Sequence, residues 1–163
     1  MGPNKLANDL GISLPEAIAK VAAYKQTYPA VSKFYEEAVR IARRTGYAFT
    51  ILGRRRNLPG IASSRNDERA RAERQAINVE IQGSAADVVK MAQIRLDQAC
   101  LDQRYGFFPL LNVHDELVFE GPEEPIEPAM RDIKDWMEHS FFIDLDVPLT
   151  VAAGKGDDWH HAK

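Results

Sequence analysis

The stretch that most constrains the fold is LLNVHDELVFE, residues 110–120. Two runs of Leu, Val and Phe flank His114, Asp115 and Glu116. Such runs suit a pleated, half-buried surface, and a short polar break between them predicts a strand, a tight turn and a second strand. Alternation would put Val113, Asp115 and Leu117 on one side of a straight strand. A tight turn breaks that rule and can expose the Asp and the Glu together. Ionised carboxylates beside apolar walls need a metal, a base or water. Magnesium suits them, because it takes one or two carboxylates together with substrate phosphates. The plainer alternative is a turn whose acids simply face water, since Asp is a common turn residue.

The rest of the chain supplies mostly helices. Residues 3–10 read as a helix closed by Gly11. Ser13 is a helix N-cap, with Glu16 three residues on and Pro15 in the first turn. That helix should run to about Tyr28, and another from about Pro29 to Arg44, with Gly46 ending it. YAFTILG (47–53) reads as a strand and RRRNLPG (54–60) as a turn with a short return. A long helix is expected from Asp67 to about Gln98, irregular near Gly83. A further helix spans roughly Pro125 to His139, with Ile133, Trp136 and Met137 on its inner side. VPLTVAA (147–153) reads as a last strand. Helices first, then strands crossed by helices, predict an antiparallel α+β domain.

Composition narrows the function. The chain has 163 residues, is 45% hydrophobic and carries one cysteine, Cys100, so an internal disulfide framework and a cysteine-rich zinc site are excluded. No run is long enough for a membrane span. These features set the expectation of a cytoplasmic protein. Net charge is −3, but its distribution is uneven. Residues 40–74 hold ten arginines, no lysines and three acids, a local balance of +7. Residues 115–146 hold eleven acids and two bases, a local balance of −9. A basic segment followed by an acidic one suits a site holding both a polyanion and metal ions, and equally two solvated faces of opposite sign.

Two further patterns bear on nucleic acid. Arg74, Asn78 and Gln82 are spaced by four and share a helix face, flanked by Arg71 and Gln75. Ile77, Ile81, Val88 and Met91 should run opposite. An arginine and two amides in line suit the row of acceptors along a DNA minor groove, present in every base pair. An amphipathic helix with a polar outside gives the same pattern. GRRR (53–56) after a strand makes a phosphate cradle, or an exposed basic turn.

Taken in order, TILGRRRNLP, AERQAINVEIQGSAADVVK, LLNVHDELVFE and the terminal GKGDDW resemble the C-terminal part of family A DNA polymerases. KLANDLGIS and YPAVSKFYEE are similar to the fingers segment after the nucleotide-binding helix. The resemblance covers nearly the whole chain. It implies a helical fingers remnant over 1–46 and a C-terminal palm segment over 47–163, with an antiparallel palm-type sheet and long packed helices. It implies that Asp115 is the second catalytic carboxylate, a ligand of two magnesium ions, with Glu116 beside it in a lesser role. His114 would contact the primer end. Asn78 and Gln82 would lie by the primer terminus and its minor groove. Arg74, Arg54 and Arg55 would contact or support DNA. Asn112 departs from the family, which often has Gln there.

The resemblance also implies what this stretch does not supply. A segment like DYSQIELR, bearing the first catalytic aspartate, is absent, as is the helix that holds the incoming nucleotide. The expectation is an incomplete polymerase fold, from a split, truncated or decayed enzyme of a bacterial or phage-infected cell. It would be inactive alone and need an N-terminal polymerase segment, primer-template DNA and deoxynucleoside triphosphates. A competing reading is a non-catalytic DNA-binding or assembly module derived from a polymerase. A metal-dependent hydrolase built on His114 and Asp115 fits less well, because the other histidines (His139, His160, His161) all lie in the last 25 residues.

Overall fold

The computed structural model describes residues 2–142 and 145–162. Its elements run α1 (Pro3–Leu10), α2 (Leu14–Thr27), α3 (Pro29–Thr45), β1 (Tyr47–Phe49), β2 (Arg55–Asn57), a 3-10 turn (Pro59–Ala62), α4 (Asn66–Asn78), a π turn (Val79–Gly83), α5 (Ser84–Gln98), α6 (Leu101–Tyr105), β3 (Phe108–Val113), β4 (Glu116–Glu120) and α7 (Ile126–Glu138). The chain is therefore helix-rich with small antiparallel ladders, the α+β class expected. The ladders are two-stranded, β1 with β2 and β3 with β4. Two units divide the chain: Met1–Phe49 with Arg55–Glu80, and Thr50–Arg54 with Ile81–Lys163.

In the first unit, caps and punctuation set the helices. Pro3 opens α1, and Gly11 closes it in the left-handed region at φ 63°. The Ser13 hydroxyl accepts from the Glu16 amide at 3.4 Å, which satisfies one of the free donors at the start of α2. Gly46 ends α3 at φ 79°, its N–H donating to the Ala42 carbonyl at 2.8 Å. The core beneath gathers Ala42, Ala48, Leu58, Ile61, Ala72, Ala76 and Val79. Alanines let α3, α4 and β1 approach closely. The larger side chains carry most of the apolar burial, about 1.5–3 kcal/mol for each one fully buried. The strand expected over 47–53 is only Tyr47–Phe49. Beyond it the chain turns, because residues 50–54 are drawn onto α5 as described below.

The long helix forms from Asn66 to Gln98, interrupted by the π turn that ends at Gly83. Its apolar side is not wholly the expected one. Ala72, Ala76 and Val79 are buried, while Ile81 is 51% exposed. A π turn bonds residues five apart, so a spacing that returns to one face in α4 stops doing so there.

In the second unit, α5 packs on α7, and Leu101, Phe107 and Ala129 form a core edged by Phe119, Ile126, Ile133 and Trp136. Ile133 and Trp136 thus face inward as their spacing required. Gly121 is needed here: a Cβ at that position would stand 2.5 Å from the Phe107 ring. The short α6 was not anticipated. It lies between Cys100 at φ 51° and Gly106 at φ 72° and is too brief to show a period. No strand forms over 147–153. Pro148 has no N–H, and the Val151 N–H donates to the Glu138 carboxylate at 2.8 Å instead of to a neighbouring strand. Among the described residues, no helix is long and apolar enough to cross a membrane.

Candidate nucleic-acid and carboxylate surface

The β3–β4 hairpin pairs Val113 with Glu116, which leaves His114 and Asp115 as a two-residue turn. A bulge between Pro109 and Leu111 precedes it. Such bulges bend and twist a strand, often beside functional sites. His114, Asp115 and Glu116 are all exposed, and Val113 and Leu117 behind them are half-buried. His114 sits in the left-handed region at φ 58°, where residues other than Gly are uncommon. The turn thus holds an imidazole and two carboxylates out from an apolar hairpin. Hard oxygen donors of this kind fit one ligand position of a magnesium ion. Among the described residues, no three His, Cys, Asp or Glu side chains converge, so the turn does not by itself fit a pair of ions.

Arg54 lies elsewhere in the same unit, and its surroundings were not foreseen. Its guanidinium pairs with Asp87 and donates to the Gly83 carbonyl at 3.3 Å. Asp87 is only 2% exposed. It also accepts from the Leu52 amide at 3.4 Å. The Ile51 amide donates to the Ser84 hydroxyl at 2.9 Å, and the Arg54 amide to the Thr50 hydroxyl at 3.1 Å. Residues 50–54 are therefore fastened to the first turn of α5. Burial pushes the Asp87 carboxyl up, but the Thr50 hydroxyl, the Leu52 amide and Arg54 outweigh it and hold it below its ordinary value. The sequence offered little warning. An acid in the first turn of a helix reads as an ordinary complement to the helix dipole. Its partners lie more than thirty residues away.

In the first unit, Arg74 and Asn78 are both exposed and four apart on α4. Gln82 is exposed too, but it belongs to the π turn and to the second unit. Arg55 lies over the Tyr47 ring at 5.2 Å. The arginine-rich segment is unevenly committed. Arg40 pairs with Glu37, Arg43 with Glu73 at 2.5 Å, and Arg65 with Asp67 and Glu68 at 2.9 and 3.2 Å. Arg69 bonds the Ser63 carbonyl and Asn66. Arg44, Arg55, Arg56, Arg71 and Arg74 form no ion pair among the described residues.

Comparisons with known proteins agree with one another. The family model described as DNA polymerase family A matches residues 1–161. The chain is 43% identical over 158 residues to DNA polymerase I of Streptococcus pneumoniae, covering 97% of this chain and 18% of that one. It is 41% identical over 163 residues to the thermostable DNA polymerase I of Thermus filiformis, covering 100% of this chain and 19% of that one. Among solved structures, the polymerase domain of Pol1 from M. smegmatis, in complex with a DNA primer-template and dNTP, superposes with a TM-score of 0.92 at 40% identity, over 99% of this chain and 28% of that one. The chain thus spans about a fifth of the length of the curated relatives it matches.

Proposed function

The chain belongs to DNA polymerase family A, and we propose that it is the part of a template-directed DNA polymerase that presents a carboxylate turn to the primer 3′ end. The observation carrying this reading is the exposed His114–Asp115–Glu116 turn at the tip of its hairpin, within a family match that runs from residue 1 to 161. In this reading residues 1–46 belong with the fingers and 47–163 with the palm. Asp115 would hold magnesium, with Glu116 as its neighbour in a lesser role. Bound there, magnesium would supply charge stabilisation to the transferring phosphoryl group and lower the pKa of the attacking hydroxyl. His114 would position the primer end. Asn78 and Gln82 would donate to minor-groove acceptors, which test base-pair geometry without reading sequence. Arg74 and Arg55 would meet the DNA backbone, and Arg54 would support the surface from its pair with Asp87. The remaining carboxylate and the contacts to the incoming deoxynucleoside triphosphate would come from an upstream polymerase segment. The chain alone is then inactive.

The test is primer extension with magnesium, all four nucleotides and a labelled primed template. This chain should give no product alone and should extend the primer when an upstream polypeptide carrying the missing aspartate is added. Asp115→Ala should abolish that extension. A second reading, a DNA-binding module without chemistry, is favoured by the lack of three converging metal-ligating side chains among the described residues. It requires Asp115→Ala to change nothing in the same assay.

A further inference from the structure

One arginine outside the residues assigned above sits in a shaped site. Pro59, Gly60, Glu68, Arg71, Ala72 and Gln75 line an open groove of about 400 Å³ in the first unit. The 3-10 turn forms one wall and α4 the other. Gly60 lets the turn lie close against α4, since a Cβ there would come within 3.3 Å of the Glu68 carbonyl. Arg71 and Gln75 are four apart on α4, so their side chains are neighbours. Glu68 is the only acid on the groove and would be the natural partner for Arg71. It is already engaged by the Ser63 hydroxyl at 2.7 Å and by Arg65 at 3.2 Å. Arg71 is left with its charge uncompensated beside an amide donor. Pro59 and Ala72 offer no side-chain acceptor to compete. An arginine fork next to an amide matches the oxygens of a phosphate.

We propose that this groove binds a backbone phosphate of the DNA, held by Arg71 with help from Gln75. The proposal rests on the polymerase reading for its choice of polyanion. The contact is independent of base sequence, because phosphates carry none. It divides the arginine-rich segment by pairing: Arg71 binds DNA, while Arg40, held by Glu37, does not.

The experiment is equilibrium binding of the full 163-residue chain to a fluorescent primed duplex across a salt series, without metal or nucleotide. Arg71→Gln should weaken binding several-fold on every sequence tried. It should also reduce the slope of log affinity against log salt by about 0.9, the loss of one neutralised phosphate. Gln75→Ala should weaken binding less and leave the slope alone. Arg40→Gln removes a guanidinium paired with Glu37, frees no acid of the groove, and should change neither. An unchanged slope in Arg71→Gln, or an equal loss in Arg40→Gln, overturns the assignment. So does wild-type binding to inorganic phosphate that is as tight as to duplex and is lost in Arg71→Gln, because the ligand is then a free anion. A wild-type chain with no affinity for the duplex also overturns it. In each case the polymerase reading is decided separately, by extension in the presence of the upstream segment.

Discussion

Two turns of the second unit, Thr50–Arg54 and His114–Asp115, both carry charge and both need a residue in the left-handed region. They meet these needs in opposite ways. The first places Gly53 at φ 77°, and its charge is compensated within the fold: Arg54 meets Asp87, which is buried and also takes the Leu52 amide. The second places His114 at φ 58°, and no hydrogen bond or ion pair ties down the side chain of His114 or Asp115 among the described residues. One turn spends its charges on architecture. The other bears backbone strain and keeps its polar groups outward, as sites that must meet an external ligand do. Having arginines or acids in a turn is therefore a poor guide to function; what matters is whether the fold has already satisfied them.

Truncation of the two aspartates should separate the turns most sharply. Asp87→Ala leaves a guanidinium and the Leu52 amide without their acceptor, at the first turn of α5. Removing one partner of a buried, hydrogen-bonded pair costs about 3 kcal/mol, somewhat less where, as with Arg54, the remaining partner reaches water. Asp115→Ala removes an exposed side chain that strands no partner among the described residues, and should stay within about 0.5 kcal/mol of wild type. Urea unfolding measures both. Equal losses would mean the hairpin tip is as structural as the loop.

Acid should sharpen the same contrast. The Asp87 carboxyl is held below its ordinary value, so its contribution to stability is full above the unfolded-state pKa and is lost as pH falls through the lower folded-state one. Asp87→Asn cannot lose that contribution. The stability gap between wild type and Asp87→Asn should therefore be widest near neutrality and narrow in the acid range. A gap that stays constant down to about pH 2.5 would mean that the carboxylate charge contributes nothing beyond the hydrogen bonds an amide also makes.

Much of the architecture was legible because it is local. Ser13, Gly11 and Gly46 set helix ends through caps that any reader of turn chemistry can find. The hairpin announces itself by two apolar runs around a polar break, and the irregular point of the long helix falls at the end of the π turn, on Gly83. What stayed hidden depends on distant partners. The strand expected over 47–53 is cut short by bonds to Ser84 and Asp87. The segment 147–153 has a strand's composition, but its Val151 amide finds a side chain rather than a ladder. The exposed row Arg74–Asn78 was readable from spacing. Its continuation to Gln82 crosses a π turn that changes the period. Which arginines remain unpaired is a property of tertiary contacts, and no window of sequence contains it.

The smallest effect expected is also the most discriminating, because the two turns should respond with opposite sign. An L-residue in the left-handed region costs roughly 1–2 kcal/mol, against which a glycine loses roughly 0.5–1 kcal/mol through the freedom of its unfolded chain. Nothing lies within 4 Å of a Cβ built on Gly53, so Gly53→Ala meets no clash and pays the backbone term alone. It should lose about 1 kcal/mol or less. His114→Gly reverses the exchange and should gain about 0.5 kcal/mol, since histidine tolerates this region better than most residues. On the proposed reading it should nevertheless slow extension in the complemented assay, because no imidazole would then meet the primer end. A gain in stability with a loss of rate would identify His114 as strain retained for function. A loss of stability in both variants would mean that the imidazole supports its own turn, and the contrast between the two loops would then lie in Asp87 alone.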